Sequence, residues 1–248
     1  MGYHKVMRQY HHKPRDQRLC EIIIGQGIVG LMIVVVSLWL IFWGFGYKIN
    51  WQNMTIKHTG VIYLSYWPKD AEALISGQNK QRSSPYYSQV FPGYYEVAIS
   101  KDNYQPWTAS IKVEADKVYS FKNVVLFKIK PEIQALTDKD TISSIDAPFD
   151  SLIKNPQGDL VASAYEIWNG NTLVTRFSKP ISGVIWYPGN EYIGFQQTDE
   201  IRIIEKNGTN DNLLVKLSSS NETKFIFSWD GSSLLYKNGD KYYKADIN

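Results

Sequence analysis

The sequence IIIGQGIVGLMIVVVSLWLIFWGF, residues 22–45, decides how the rest of the chain is organised. None of these residues carries a charge. As an α-helix rising about 1.5 Å per residue, the stretch is about 36 Å long, which is enough to cross a hydrocarbon core of about 30 Å with some tilt. We therefore predict a single N-terminal transmembrane helix over residues 21–47.

The charges on either side of this helix predict its orientation. Residues 1–20 form a basic arm with five Lys and Arg and one Asp, whereas only Lys48 and Lys57 are basic between the helix and residue 60. Positive residues flanking a membrane helix favour the cytoplasmic side. The arm is therefore expected in the cytoplasm, and the region after the helix outside it.

A cleaved signal peptide is the alternative interpretation, since it also combines a basic segment with an apolar one. Its apolar part usually has about 7 to 15 residues and is followed by small residues at the cleavage site. Here the apolar run is longer, and bulky residues such as Phe42, Trp43 and Phe45 occupy that position. The pattern favours an uncleaved anchor.

Two sets of residues in and after the helix have predicted roles. Aromatic residues recur every four positions and would form one stripe at the outer lipid interface, an anchor belt: Trp39, Trp43, Tyr47 and Trp51. Small residues could form a smooth face for a neighbouring helix: Gly27, Gly30 and Ser37. The second set suggests self-association or a helical partner in the membrane.

Composition argues against several classes of function. The basic arm explains the net charge of +3, because the rest of the chain has one more acid than base. A nearly neutral outer region does not predict nucleic-acid binding. The only cysteine, Cys20, precedes the helix, so the outer region has no disulfide.

The residue inventory also argues against an enzyme. The outer region has one histidine, His58, in the predicted stalk, so neither a catalytic triad nor a zinc site of His and Cys is expected. Residues 151–154 match the S-x-x-K pattern of penicillin-binding enzymes but lack its companion motifs. We therefore predict a protein that is not an enzyme and has no cofactor and no metal.

A stalk, residues 48–58, is predicted to lead into a first β-rich domain, residues 59–130. Short runs of β-forming residues alternate with turn residues, which predicts five or more strands in a small antiparallel sandwich. The predicted strands cover residues 61–66, 71–75, 94–99, 104–113 and 118–127. In the first of them, Val61, Tyr63 and Ser65 alternate with Ile62, Leu64 and Tyr66.

The order of turns in this domain resembles the PEGA domain. The residues that carry the resemblance are Gly60 to Ser65, Pro68 to Ala71, Ile75 to Gly77, Ser84-Pro85, Phe91 to Val97 and Asn103-Tyr104. The chain differs from the family in having Lys69-Asp70 in the first turn and Asn103 where glycine is usual. The resemblance implies a small β-sandwich, common in surface and membrane-anchored bacterial proteins, that binds a partner without catalysis.

The last region, residues 131–248, contains a repeat. Similar turns begin at Asn155, Trp186 and Ser228, about 32 and then about 42 residues apart, which suits β-meander blades. The pattern resembles two to three blades of TolB-like propellers, although closed propellers need about 4 to 8. An open stack with unpaired strand edges, completion by another chain, a shortened propeller and a compact capped β-domain all remain possible, and unpaired edges would favour a partner or self-association.

Exposed aromatic residues on a β-surface could stack on sugars or anchor a protein partner. The candidates are Tyr86, Tyr87, Tyr94 and Trp107.

Together these features predict a mostly β, single-pass protein of the bacterial cytoplasmic membrane. Its predicted function is non-catalytic binding or scaffolding in the cell envelope, with membrane lipid and an envelope protein or cell-wall glycan as partners. The alternative is a structural subunit of a larger membrane complex, or a homo-oligomer, assembled through the helix and the open β-repeat edge.

Overall fold

The computed structural model describes residues 15–51, 54–76, 78, 80–146 and 160–248. The basic arm up to residue 14, the S-x-x-K motif and the repeat turn that begins at Asn155 lie outside the described residues. The chain divides into two compact units, residues 1–59 and residues 60–248. Half of the chain is strand, so the mostly β prediction is confirmed.

The first unit begins with helix α1, Arg15–Gly44. Its segment Ile23–Gly44 has a mean hydropathy of 2.4 and is, among the described residues, long and apolar enough to span a membrane. The helix ends three residues before the predicted boundary because Gly44 and Gly46 interrupt it, and Gly46 has a φ of +76°. The predicted stalk, residues 48–58, lies in a hairpin of β1 (Tyr47–Asn50) and β2 (Thr55–His58).

This helix end corrects the predicted aromatic stripe. Trp39 and Trp43 stack with ring centroids 6.3 Å apart. Tyr47 belongs to β1 instead, where its ring lies 5.0 Å from Phe42. Trp51 lies in the hairpin turn and is exposed. Only the first two residues therefore keep a helical spacing.

The second unit begins with a sandwich of six strands. They are β3 (Gly60–Trp67), β4 (Glu72–Ile75), β5 (Tyr86–Val90), β6 (Gly93–Ser100), β7 (Trp107–Val113) and β8 (Val118–Val125). One sheet has the order β5-β3-β8 and the other β4-β6-β7. All five predicted strands are present, and β5 is additional. The expectation of a purely antiparallel sandwich was wrong, because β8 pairs with β3 in parallel.

The alternation in β3 places its two sets of side chains on opposite faces of the sheet. Ile62, Leu64 and Tyr66 are buried and face the other sheet, where Val97 and Ile99 of β6 are also fully buried. These residues form one hydrophobic cluster with the inward side chains of β4 and β7. The sandwich therefore has its own core.

The remaining strands form three antiparallel sheets. They are β9 (Glu132–Ala135), β10 (Leu160–Ala162), β11 (Glu166–Asn169), β12 (Thr172–Arg176), β13 (Ile181–Trp186), β14 (Tyr192–Gln197), β15 (Glu200–Glu205), β16 (Asn212–Lys216), β17 (Phe225–Phe227), β18 (Ser233–Asn238) and β19 (Lys241–Asp246). A short helix, α2 (Lys139–Asp146), follows β9. The sheet orders are β10-β11-β12, β13-β14-β15-β16 and β17-β18-β19-β9.

The four-stranded sheet β13-β14-β15-β16 contributes to two hydrophobic clusters. One cluster combines it with sheet β17-β18-β19-β9, and the other combines it with sheet β10-β11-β12. Five consecutive residues of β14, Tyr192 to Gln196, are consequently buried. No closed barrel or propeller is found among the described residues.

The end of the sandwich packs into the hydrophobic cluster of the sheets that follow it, within the second unit. Phe127, two residues after β8, is 1% exposed and packs edge-on against Tyr187 and Tyr192, with centroid distances of 5.7 and 5.4 Å. The Tyr192 hydroxyl also accepts a hydrogen bond from the Val125 backbone nitrogen at 2.9 Å. The sandwich therefore packs against the following sheets at Phe127, whereas Ile129 and Lys130, next to the predicted boundary, are exposed.

Candidate binding surfaces

Two of the four aromatic residues proposed from the sequence are exposed at the surface, and the other two pack against the sandwich core. Tyr87 and Tyr94 are 72% and 82% exposed. Tyr86 is half-buried, and its hydroxyl donates a hydrogen bond to Gln78 Oε1 at 3.1 Å. Trp107 is buried, which corrects its proposed role, because its position in β7 turns the ring towards the sandwich interior.

Trp107 has a structural role at the junction. Its ring packs edge-on against Phe121 at 5.2 Å. The indole nitrogen donates a hydrogen bond to the carboxylate of Glu205, at the end of β15. Trp107 thus joins the sandwich to the following sheet and offers no free face to a ligand.

The two exposed tyrosines belong to different sheets and cannot form one site. Tyr87 is in β5 and Tyr94 is in β6. The Lys112 ammonium lies 5.9 Å from the centroid of the Tyr94 ring, which places a cation beside that ring. Tyr94 is therefore a separate surface feature and a matched comparison for Tyr87.

Tyr87 lies on a surface that we call the aromatic face: Tyr63, Trp67 and Tyr87, on the outer side of sheet β5-β3-β8. Tyr87 pairs directly with Tyr63 across the two strands. Trp67 is 51% exposed and follows Tyr63 by four residues on the same side of β3, about 13 Å along the strand at about 3.3 Å per residue. The face thus offers rings on a rigid sheet.

The aromatic face has further apolar area and small polar groups around it. Val61 pairs with the exposed Val118 on the same side of the sheet, and Ser120 lies opposite Tyr63 on β8. Aromatic rings beside hydroxyl groups can stack on the apolar side of a sugar and hydrogen-bond its hydroxyls. The alternation in β3 was visible in the sequence and would have assigned Tyr63 and Trp67 to this side.

Comparison with known proteins identifies this sandwich. Residues 59–126 match the PEGA domain. The resemblance inferred from the turns is therefore confirmed for that part of the chain. A crystal structure of a DUF3823 family protein from Bacteroides ovatus is 9% identical and covers 77% of this chain and 97% of that chain, with a TM-score of 0.21. No curated protein matches the chain.

Another exposed aromatic residue lies beyond the PEGA domain, in the turn between β17 and β18. Trp229 is 97% exposed. The adjacent Asp230 carboxylate accepts hydrogen bonds from Ser228 Oγ, Ser232 N and Ser232 Oγ at 2.7, 3.1 and 2.9 Å. These bonds lower the pKa of Asp230 to about 2, so the carboxylate is charged at neutral pH.

The buried Tyr187 also holds this turn through a hydrogen bond. Its hydroxyl donates a hydrogen bond to the Gly231 carbonyl at 2.9 Å, and burial raises the pKa of Tyr187 to about 12. Gly231 has a φ of +73°, and a Cβ there would lie 2.2 Å from the Tyr187 hydroxyl oxygen. These contacts therefore fix the turn that carries the exposed tryptophan. The sequence showed the turn but not the exposure of its ring.

The predicted helix contact is a set of small residues on α1. Gly27 and Gly30 lie on α1, and a Cβ at either position would meet no described atom within 4 Å. Ser37 lies seven residues after Gly30, on the same side of the helix. Among the described residues, no group of three or more His, Cys, Asp or Glu side chains could hold a metal ion.

Proposed function

We propose that this chain is a non-catalytic binding protein of the bacterial cell envelope. In this proposal α1 crosses the cytoplasmic membrane with the basic arm inside, and the PEGA domain and the following sheets lie outside. The apolar length of α1, the basic residues before it and the PEGA match support this placement.

We further propose that the aromatic face binds a cell-wall glycan. The observation that carries the proposal is the exposed Tyr87 ring beside Tyr63 on a rigid sheet, with Trp67 farther along the same strand. Exposed rings lose little conformational entropy on binding, because the sheet already fixes their backbone. Spaced rings on one face suit a chain of sugar rings better than a single small molecule.

Replacement of Tyr87 by alanine tests this proposal. We expect Tyr87→Ala in the full-length protein, held in detergent micelles, to weaken co-sedimentation with purified, insoluble wall polymer about tenfold. Removing one stacking ring costs on the order of 1 kcal/mol or more, which corresponds to that factor. Tyr87→Phe keeps the ring and should bind nearly as well as the unaltered chain.

Tyr94→Ala is the matched control, since Tyr94 is equally exposed but lies on the other sheet. Its binding should equal that of the unaltered chain. Equal losses for Tyr87→Ala and Tyr94→Ala would show that any exposed ring adsorbs to the polymer. No loss for either variant would remove the glycan from the proposal.

A structural subunit of a membrane complex is the second candidate function, and Trp229 is the observation that favours it. An exposed tryptophan on a turn fixed by four hydrogen bonds resembles a protein-binding hot spot before its partner arrives. In this version the three sheets of residues 132–248 are propeller-like blades, packed face to face, with β9 completing the last one. The helix face of Gly27, Gly30 and Ser37 would add contacts in the membrane.

Cross-linking in cells tests the subunit candidate. We expect the full-length protein to form a defined cross-linked complex in its own membrane, and Trp229→Ala to reduce the yield about tenfold, as for loss of a hot-spot residue. Trp51→Ala is a suitable control, since Trp51 is also highly exposed but lies in the hairpin after α1. A monomer in mild detergent that cross-links to nothing would reject the candidate.

A further inference from the structure

The PEGA sandwich has a groove between its two outer edge strands. Strand β7 ends the sheet order β4-β6-β7, and β8 ends the order β5-β3-β8. Between them lies a groove of about 610 Å³, with Ile111 and Phe121 on its apolar floor; residues 191–192 and 205–210 of the following sheet line its other side. In the part of the chain that the structure describes, no strand pairs with the outer edge of either one.

Part of the β7 edge is already paired by a side chain. The Thr108 backbone nitrogen donates to Asn210 Oδ1, and Asn210 Nδ2 donates to the Thr108 carbonyl, both at 3.2 Å. A side-chain amide thus forms the two bonds that a neighbouring strand would form. This pairing shows that the backbone groups of Thr108 point away from β6.

Strand alternation extends this result along β7. Successive residues of an edge strand direct their backbone groups alternately inward and outward. Because Thr108 points outward, Ser110 and Lys112 also direct their N–H and C=O groups outward. These outward N–H and C=O groups can form backbone hydrogen bonds with an added strand.

A turn in the following sheet holds the Asn210 amide at one end of this edge. Glu205 accepts hydrogen bonds from Thr209 Oγ1 at 2.7 Å and Asn207 Nδ2 at 3.2 Å, while its other oxygen accepts the Trp107 indole. Asn210 itself has a φ of +51°, a conformation that asparagine tolerates better than most residues. The turn therefore closes the edge at Thr108 and leaves it open from Ser110 onward.

Charge indicates the type of strand that fits. Lys112 and Lys122 lie on the two edge strands, and Glu114 interacts electrostatically with Lys112. The two acids that line the groove are engaged elsewhere: Glu191 pairs with Lys206, and Glu205 accepts hydrogen bonds from Trp107 and Thr209. Lysines on an edge disfavour pairing with a second copy of the same edge, because like charges would meet. An acidic strand would instead gain a favourable contact.

We propose that the β7 edge at Ser110 and Lys112 binds an extended acidic segment of a partner protein by strand addition. In such a segment apolar side chains alternate with acidic ones. The apolar side chains face Ile111 and Phe121 in the groove, and the acidic ones face Lys112. This site is separate from the aromatic face, so it does not depend on glycan binding.

A pool of synthetic eight-residue peptides, with Val or Thr alternating with Glu or Asp, tests the proposal. We expect binding to the full-length protein in detergent micelles and slower amide hydrogen exchange at Ser110 and Lys112. The same peptides with alternate backbone nitrogens methylated should bind about tenfold or more weakly, because they cannot complete the ladder. A pool with Lys in place of Glu and Asp should also bind about tenfold more weakly.

Two variants separate strand addition from adsorption. Lys112→Glu should weaken binding of the acidic pool about tenfold and improve binding of the lysine pool, whereas Tyr87→Ala, on the other sheet, should change neither. Ser110→Pro removes an outward N–H that β6 does not use, and should also weaken binding about tenfold. Absence of binding, equal binding of the methylated peptides, or unchanged exchange at both amides would overturn the proposal.

Discussion

Phe127→Ala is expected to destabilise the second unit by about 3 to 5 kcal/mol, because a fully buried phenylalanine leaves a cavity that its neighbours fill only partly. Phe127 is 1% exposed and packs edge-on against Tyr187 and Tyr192. A loss of this size would lower the melting temperature of a unit this large by roughly 10 °C. Near-ultraviolet circular dichroism of the full-length protein during heating measures it.

The number of unfolding transitions shows whether the sandwich and the later sheets unfold together. Phe127 follows the last PEGA strand but belongs to the hydrophobic cluster of the sheets after it. We therefore expect one transition for the unaltered second unit and two for Phe127→Ala, since the variant weakens the packing between the sandwich and those sheets. Ile129→Ala is the control, because Ile129 is 55% exposed and its loss should change little. Two transitions in the unaltered chain would show that this packing does not make the sandwich and the later sheets unfold together.

Local sequence patterns predicted much of the PEGA sandwich, because alternating residues mark its strands and turn residues mark their ends. Alternation in β3 separates Ile62 and Leu64 from Val61 and Tyr63, and Phe91-Pro92-Gly93 marks the turn before β6. Strand β5 was missed because Ser88 and Gln89 interrupt its apolar pattern. The parallel pairing of β3 with β8 was missed because local patterns do not encode which strands become neighbours.

The sequence predicted the residues of the candidate surface less well than it predicted the fold. Tyr87 and Tyr94 were found as aromatic residues near turns, but only the sheet assignment shows that they face different surroundings. Trp107 was misjudged because its neighbour Pro106 suggested a turn, although Trp107, Ile111 and Val113 share the inward phase of β7. The contact of Val125 with Tyr192 joins residues 67 positions apart, and no local pattern predicts such a pair.

Gly208→Ala is expected to destabilise the second unit by about 3 kcal/mol. Gly208 lies in the turn between β15 and β16 with a φ of +83°, where an L side chain costs about 1 to 2 kcal/mol. A Cβ there would lie 2.3 Å from the Val174 carbonyl oxygen of β12. Backbone cannot yield as easily as a side chain, so overpacking adds about 1 to 3 kcal/mol. Urea unfolding of the full-length protein measures the sum.

Gly239→Ala separates the two contributions. Gly239 has a φ of +63°, but a Cβ there would meet no described atom within 4 Å, so only the conformational cost should remain. The difference between the two losses in the free energy of unfolding then measures the cost of displacing β12 from the turn. Equal losses would mean that β12 moves away at little cost.

The turn that contains Gly208 also connects stability to the proposed peptide site. Gly208 donates its backbone N–H to the Glu205 carbonyl at 2.8 Å, two residues before the Asn210 amide that pairs with Thr108. A shift of the turn to relieve the Val174 contact would therefore loosen that amide. We expect Gly208→Ala, but not Gly239→Ala, to speed amide hydrogen exchange at Thr108. This result would show that the same turn packs against β12 and pairs with the β7 edge.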